Sequence, residues 1–323
     1  MTDLSHMAVL VTSTSYGRND PLLKSDLESA VGRVEYNTLG RPLSADDLVE
    51  VIGEYDGYIA GLDEINRDVI ASAGKLKVIA RYGVGVDRVD LEAAREHGIV
   101  VTNTPGANSS SVAELAIGLM LALARHIPTA VEQTRQGEWP RLRGVAIEGK
   151  TIGILGLGAI GGEVAWRIKA FTGDVIGFDP FVTAQAAEQL GVALVPQEEL
   201  IGRADFLTLH VPVLDETRGM VNAAFLDAMK DGAFLINTSR GELIDEAALV
   251  EALQGGKLSG VALDAFRQEP PDADNPLLAL PNVIATPHTG AHTDEATNKM
   301  GRMALDECLA VLRGEQPSWP VNA

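Results

Sequence analysis

Apolar runs rich in Val and Ile alternate with stretches of helical spacing along almost the whole chain, which is the pattern of parallel βαβ units. In the first third, residues 8–11, 34–37, 57–60, 77–80 and 99–102 predict strands, with helices over 44–52 and 90–97 between them. A long helix is expected over about 110–136. Its most apolar part, 112–124, contains Glu114 and is too short to cross a bilayer, so it reads as a buried helix. A second series of strands follows at 151–155, 174–178, 193–195, 206–210, 233–237, 260–263 and 283–285, and a last helix is expected over 294–312. Asn103-Thr104-Pro105-Gly106 reads as a turn and a hinge, and another turn follows His288. The pattern predicts two α/β lobes. Periodicity alone does not say how the chain is shared between them.

Composition then narrows the function classes. At 323 residues the chain exceeds one ordinary core and fits two domains. A formal charge of -19 argues against nucleic acid, which calls for a basic footprint, and against adhesion to an anionic membrane. The acidic shell also repels anionic substrates, so a site for one must concentrate its own positive charge. The single cysteine, Cys308, excludes a disulfide framework or a cysteine metal cluster and reads as helix packing. No metal is expected. The start, MTDLSHMAVLVTS, lacks a basic region followed by a long apolar core, so a reducing cytoplasm is the expected setting.

One glycine pattern carries chemistry. The run 151–155 leads into Gly156-Leu157-Gly158-Ala159-Ile160-Gly161 and then an apolar-periodic helix through Trp166 and Phe171. Gly156 permits a tight turn, Gly158 lets the backbone approach a pyrophosphate, and Gly161 lets the helix pack closely on the sheet. The helix N-terminus then faces the anion with free N–H groups. With 33 glycines in 323 residues, chance gives about 0.3 such matches, so context decides. The context is a strand before, a helix after, and a second strand ending at Asp179. An acid there accepts the ribose hydroxyls of NAD and repels the 2′-phosphate of NADP.

The six histidines can be taken one at a time. His6, in the tail, His97, at a helix end, and His126, inside the expected long helix, read as structural or solvated. His210, in Leu209-His210-Val211-Pro212, either meets a cofactor edge or packs. His288, in Thr286-Pro287-His288-Thr289-Gly290, follows a buried strand, where α/β sheets place functional groups. Two more strand ends lead into Thr238-Ser239-Arg240-Gly241 and into Asp264-Ala265-Phe266-Arg267-Gln268-Glu269. Three parallel strands would thus deliver an arginine, a carboxylate and a histidine to one sheet edge. Hydride transfer from a 2-hydroxy acid needs a base for the hydroxyl proton, a carboxylate to orient the imidazole, and a cation for the substrate carboxylate.

The segments RYGVGVDRVD from Arg81, VVTNTPGANSSSVAELAIGLML from Val100, GKTIGILGLGAIG from Gly149, INTSRGELIDEAAL from Ile236, ALDAFRQEP from Ala262 and TPHTGAHTDEA from Thr286 resemble the D-isomer-specific 2-hydroxyacid dehydrogenases. The resemblance is strongest to their phosphoglycerate-dehydrogenase-like branch. It implies two Rossmann-like or flavodoxin-like lobes with parallel sheets, the nucleotide lobe inserted into the substrate lobe. The substrate lobe would use 1–103 and 291–323, and the NAD lobe 104–290. Arg240, Glu269 and His288 would be catalytic. Asp264 would lie near the nicotinamide carboxamide, and Ala159, Ile160 and Asp179 on the adenosine side. His210, Val211, Pro212, Thr217, Thr238 and Gly290 complete the candidate cofactor contacts. Backbone N–H groups of Val84 and Gly85, in the Gly83-Val84-Gly85 turn, would hold the carboxylate of a small anionic 2-hydroxy or 2-oxo acid, with Arg81 as a further substrate contact. The resemblance also implies a homodimer joined through the nucleotide lobes, and no C-terminal regulatory domain of the kind longer relatives carry.

The chain departs from that branch after its third strand. Phosphoglycerate-specific members carry an arginine and a lysine where this sequence has Ala60 and Glu64. Asp63 and Glu64 at the mouth of a phosphate pocket would oppose a dianion, unless Arg81, Arg67 or, from a second copy of the chain, Arg141 and Arg143 compensate. His292 is a candidate substrate contact or a solvated helix-start residue. An alternative reading is an NAD(H)-sensing binding protein of the corepressor type. The formate-oxidising branch is disfavoured, because it pairs its histidine with a glutamine and this chain offers Glu269.

Overall fold

Short runs of apolar and β-branched residues become strands here because helices cover both faces of each sheet, which lets continuous apolar runs be buried. A computed structural model describes residues 2–322 and divides the chain into two units, Met1–Asn108 with His292–Ala323, and Ser109–Ala291.

The first unit holds β1 (Ala8–Val11), β2 (Arg33–Tyr36), β3 (Gly57–Ala60), β4 (Val78–Arg81) and β5 (Val100–Thr102), all parallel in the order β2-β1-β3-β4-β5. Every residue of β1, β3 and β4 is buried, whereas β2, at the edge, is not. One face packs on α1 (Leu22–Ala30) and the C-terminal helix Asp294–Leu312, through Leu23, Leu27, Leu305 and Cys308. The other face packs on α2 (Ala45–Val51), α3 (Arg67–Ser72) and α4 (Leu91–Glu96), through Leu48, Val69, Ile70 and Ala93. Local signals fix the starts of these helices. Ser44 and Asp47 form a capping box on α2, and Asn66 and Asp90 cap α3 and α4. His97 ends α4, its Nδ1 2.9 Å from Ala93 O, a structural role.

In the second unit, the helix expected over 110–136 is broken. It forms α5 (Ser109–Ala124) and α6 (Ile127–Arg135), bent by 63°. Pro128 stands in the first turn of α6, where it has no N–H to continue the preceding helix, and His126 turns the chain at φ 51. Seven parallel strands follow: β6 (Ile152–Leu155), β7 (Val175–Phe178), β8 (Ala193–Leu194), β9 (Phe206–Leu209), β10 (Ala233–Asn237), β11 (Leu258–Leu263) and β12 (Val283–Ala285). Their order is β12-β11-β10-β9-β6-β7-β8. α5 and α7 (Ala159–Ile168) cover one face, with α8 (Ala184–Leu190) beside them. α9 (Gln197–Arg203), α10 (Ala223–Ala228) and α11 (Glu246–Gln254) cover the other. α7 ends before Phe171, and Trp166 is 67% exposed, so neither aromatic belongs to the buried stripe, which is Val164, Ala165 and Ile168. Among the described residues no single helix is long and apolar enough to cross a membrane.

Candidate active site

Strand order in the second unit reverses between β6 and β9, and parallel sheets open a crevice at such a reversal, beyond the strand C-termini. Gly156-Leu157-Gly158 leave β6 at that point and His210-Val211-Pro212 leave β9 beside them, with His210 N donating to Leu155 O at 2.7 Å. Gly156 has φ 92, and a Cβ there would lie 2.6 Å from His210 O; one on Gly161 would lie 1.9 Å from Gly156 O. A Cβ on Gly158 would instead meet nothing within 4 Å, so an open cradle lies in front of it. No side chain caps α7, which leaves first-turn N–H groups around Ala159 and Ile160 for an anion. The Asp179 carboxylate, just past β7, accepts from Leu157 N at 2.8 Å and Phe181 N at 2.9 Å, which aims it across the glycine turn. Nearby, His210 Nδ1 and Thr238 Oγ1 are buried with no hydrogen-bond partner among the described residues. An open backbone cradle, an acid across from it and two orphaned polar atoms fit a dinucleotide with free ribose hydroxyls.

Three expected cofactor contacts behave differently. Thr217 Oγ1 donates to Pro212 O at 2.7 Å and accepts from Leu214 N at 2.8 Å, so its hydroxyl closes its own loop. Asp264 is buried. Its Oδ1 accepts from Thr286 Oγ1 at 2.5 Å and Thr289 N at 2.8 Å, and its Oδ2 from Gly290 N at 2.8 Å. Asp264 and Gly290 satisfy each other and tie down the turn that carries His288. These contacts position the His288 turn.

The catalytic candidates converge because β12, β11 and β10 are neighbours in register, with Leu263 opposite both Asn237 and Ala285. Arg240, Glu269 and His288 each leave one of these strands on the same edge. His288 Nδ1 lies 2.8 Å from Glu269 Oε1, and both side chains are mostly shielded. Phe266 N also donates to Glu269 Oε1 at 3.2 Å. His288 sits at φ 52, a conformation rare for a non-glycine residue, held by the Asp264 clamp and by its own N–H on Thr286 O at 3.0 Å. Arg240 is framed by residues that sequence reasoning missed. Buried Asn237 donates from Nδ2 to Arg240 O at 2.7 Å and accepts from Ser239 N at 3.0 Å, and Ser239 Oγ donates to Leu209 O at 2.7 Å. A Cβ on Gly241 would lie 2.0 Å from the Phe266 carbonyl carbon, so glycine there lets the β10 and β11 loops touch. The visible signal for Asn237 is a polar residue ending an otherwise apolar strand. Burial pushes His210 down to about 3, so that imidazole stays neutral near pH 7.

In the first unit, the turn after β4 has its carbonyls tied back. Gly83 O accepts from Thr104 N at 3.0 Å, Val84 O from Asn103 Nδ2 at 2.8 Å, and Gly85 O from Arg81 Nε at 3.1 Å. In a planar trans peptide the N–H points opposite the preceding C=O. The N–H groups of Val84 and Gly85 are therefore turned away from these anchors, available to a carboxylate. Arg81 is buried, and its Nη1 also donates to Gly61 O. It supports the turn from behind. Asp63 does not stand at a pocket mouth. It is fully buried and accepts from Leu43 N at 2.6 Å, from the Tyr58 hydroxyl at 2.9 Å and from the Thr12 hydroxyl. Glu64 beside it is exposed, as is His292 just before the C-terminal helix.

Residues 117–290 match the family described as D-isomer specific 2-hydroxyacid dehydrogenase, NAD binding domain. A D-3-phosphoglycerate dehydrogenase of Methanocaldococcus jannaschii is 48% identical over 309 residues, 94% of this chain but 58% of that one. This chain thus spans little more than half the length of such relatives. A hydroxypyruvate reductase of Thermotoga maritima is 42% identical over 288 residues, covering 88% of this chain and 93% of its own. Among solved structures, a protein from Thermus thermophilus superposes with a TM-score of 0.85 at 38% identity, covering 98% of this chain and all of that one.

Proposed function

The chain belongs to the D-isomer-specific 2-hydroxyacid dehydrogenase family, and from that premise we propose that it interconverts a small D-2-hydroxy acid and its 2-oxo acid with NAD. The observation that carries this reading is the His288–Glu269 pair at 2.8 Å, on the same sheet edge as Arg240. Glu269 holds Nδ1, which fixes the ring and leaves Nε2 to take the substrate hydroxyl proton. The guanidinium of Arg240 holds the carboxylate and polarises the developing carbonyl, the positive charge that an acidic protein must supply locally. In the first unit, we assign the Val84 and Gly85 N–H groups to a carboxylate. NAD bound in the second unit would supply the acceptor for the hydride from C2, while His288 takes the hydroxyl proton as the C2–O bond becomes a carbonyl. Gly156, Gly158, Ala159, Ile160 and Gly161 hold its pyrophosphate, Asp179 its adenosine ribose, and His210, Val211, Pro212 and Thr238 line the facing wall.

We assign substrate binding to the unit containing both chain ends and NAD binding to the central unit. We also assign a homodimer formed through the central unit, where Ile127, Val131, Trp139 and Trp166 expose apolar surface. The negative charge and the buried Cys308 thiol fit a cytoplasmic protein that avoids nucleic acid and membranes. The alternative of a cofactor-sensing binding protein is not favoured, since the named relatives are enzymes.

His288→Ala and Arg240→Ala should each lower kcat/KM by about 100-fold or more while NADH still binds, measured by fluorescence titration. Ordinary turnover in either variant would remove that residue from the mechanism.

A further inference from the structure

Residues 318–322, which follow the C-terminal helix, lie along β5, an edge strand of the first unit, with Thr102 and Pro320 forming an antiparallel bridge. Val321 N donates to Val101 O at 2.8 Å, and the Asn322 side chain pairs with Val101 N and Ile99 O, each at 2.8 Å. Covering a sheet edge explains those contacts. Two others do not serve the edge. Glu307, on the C-terminal helix, is 5% exposed, and its two carboxylate oxygens accept from Ser318 N at 3.0 Å and Trp319 N at 2.9 Å. Burying a carboxylate is costly unless donors meet it, and these charge-assisted bonds fix where the segment starts. Asn103, just past β5, then reaches in two directions. Its N donates to Trp319 O at 3.2 Å, and its Nδ2 donates to Val84 O at 2.8 Å. One hydrogen-bonded chain therefore runs from Glu307 through Trp319 and Asn103 to the Val84 carbonyl. In that planar peptide the Gly85 N–H points the opposite way.

We infer that Glu307 and Asn103 are positioning residues for the substrate carboxylate. Glu307 holds Trp319, Asn103 holds the Val84 carbonyl, and together they fix the direction of the Gly85 N–H from within the first unit. The inference rests on the assignment of the Val84 and Gly85 N–H groups to a carboxylate. Val84 stands between Gly83 and Gly85, whose backbones are intrinsically loose, so the tether has freedom to remove. A carboxylate passes unchanged from the hydroxy acid to the oxo acid, so its contact is equally strong before and during hydride transfer. Loosening that contact raises KM and leaves kcat in place. A role confined to covering the edge would lower Tm without moving KM.

The test is steady-state NADH formation by the full chain at saturating NAD, with D-lactate, D-glycerate and D-3-phosphoglycerate each varied. Wild type is compared with Asn103→Ala, Glu307→Gln and the double variant. In Glu307→Gln one backbone donor meets an NH2 group in place of an oxygen. For the acid used best, the expected result is a KM raised about fivefold or more in each single variant, with kcat within about twofold and the Kd for NADH unchanged. The double variant should match Asn103→Ala, because both residues act through one chain. An unchanged KM in Asn103→Ala would overturn the inference. That variant removes no buried charge, so it decides the matter even where Glu307→Gln fails to fold. An unchanged KM in a folded Glu307→Gln, or effects that multiply in the double variant, would overturn the part given to Glu307. Wild-type inactivity on all three acids would instead overturn the dehydrogenase reading, and the inference with it.

Discussion

His288 and His210 show how position decides what one residue type can do. His288 stands in a clamped turn with Nδ1 on Glu269, so its ring is oriented and its other nitrogen is available. His210 has Nε2 against Thr208 Oγ1 at 2.9 Å and a sealed Nδ1, and burial holds it at about 3. Between that value and about 6.5 the unfolded chain binds a proton that the folded chain refuses, so stability rises with pH across the window. Urea unfolding should show a loss of up to about 1.4 kcal/mol per pH unit from this residue as pH falls below 6.5, and His210→Gln should flatten that slope. An identical slope in the variant would show that the imidazole is not sealed. The sequence made Arg240, Glu269 and His288 visible because charged residues follow apolar strands. It could not make Asp63 legible as a core residue, since nothing local reveals that Leu43 N, Tyr58 and Thr12 arrive from distant segments to satisfy it. The clamp that Asp264 makes on the His288 turn is illegible for the same reason. Its partners Thr286, Thr289 and Gly290 come from the next strand's loop.

Elements whose pattern is local were readable, and those decided by a single breaker were not. Strands rich in Val and Ile fall within a residue or two of their expected ends, and the C-terminal helix spans Asp294–Leu312 as its apolar spacing predicts. The long apolar helix reads as one piece because its apolar spacing runs on past Pro128, whereas the backbone breaks after Ala124 and restarts as α6 with Pro128 in its first turn. The β6–α7 turn separates structural from functional glycines. In Gly161→Ala the new Cβ falls 1.9 Å from Gly156 O, so the helix must move off the strand. That variant should lose about 1–3 kcal/mol in chemical denaturation. Gly158→Ala meets nothing within 4 Å and should keep the wild-type Tm. It should nevertheless raise the Kd for NADH about tenfold or more, because the methyl fills the space a pyrophosphate needs. Unaltered NADH affinity in Gly158→Ala would move the cofactor away from this turn.

For the whole molecule, a charge of -19 and a chain divided into two α/β units frame the chemistry. Alternating elements announced two lobes, but nothing periodic shows that the last helix returns to the first lobe. That depends on tertiary burial of Leu305, Cys308 and Leu312 against Leu23 and Leu27. The unit boundary falls after Asn108, beyond the turn expected to act as hinge, because residues 103–106 are anchored within the first unit. Thr104 N reaches Gly83 O at 3.0 Å, Asn103 N reaches Trp319 O at 3.2 Å, and Lys299 Nζ reaches Gly106 O at 3.2 Å. The Thr104 anchor also holds the Gly83 carbonyl behind the Val84 N–H group, and Asn103 Nδ2 holds the Val84 carbonyl behind the Gly85 N–H group. The central claim is stereospecific oxidation of a D-2-hydroxy acid by NAD, and the most direct test is NADH absorbance with matched D and L enantiomers of lactate and glycerate. The account predicts turnover of a D isomer at least about 100-fold above its L partner. Preference for an L isomer, or no NADH from any of the four, would contradict it.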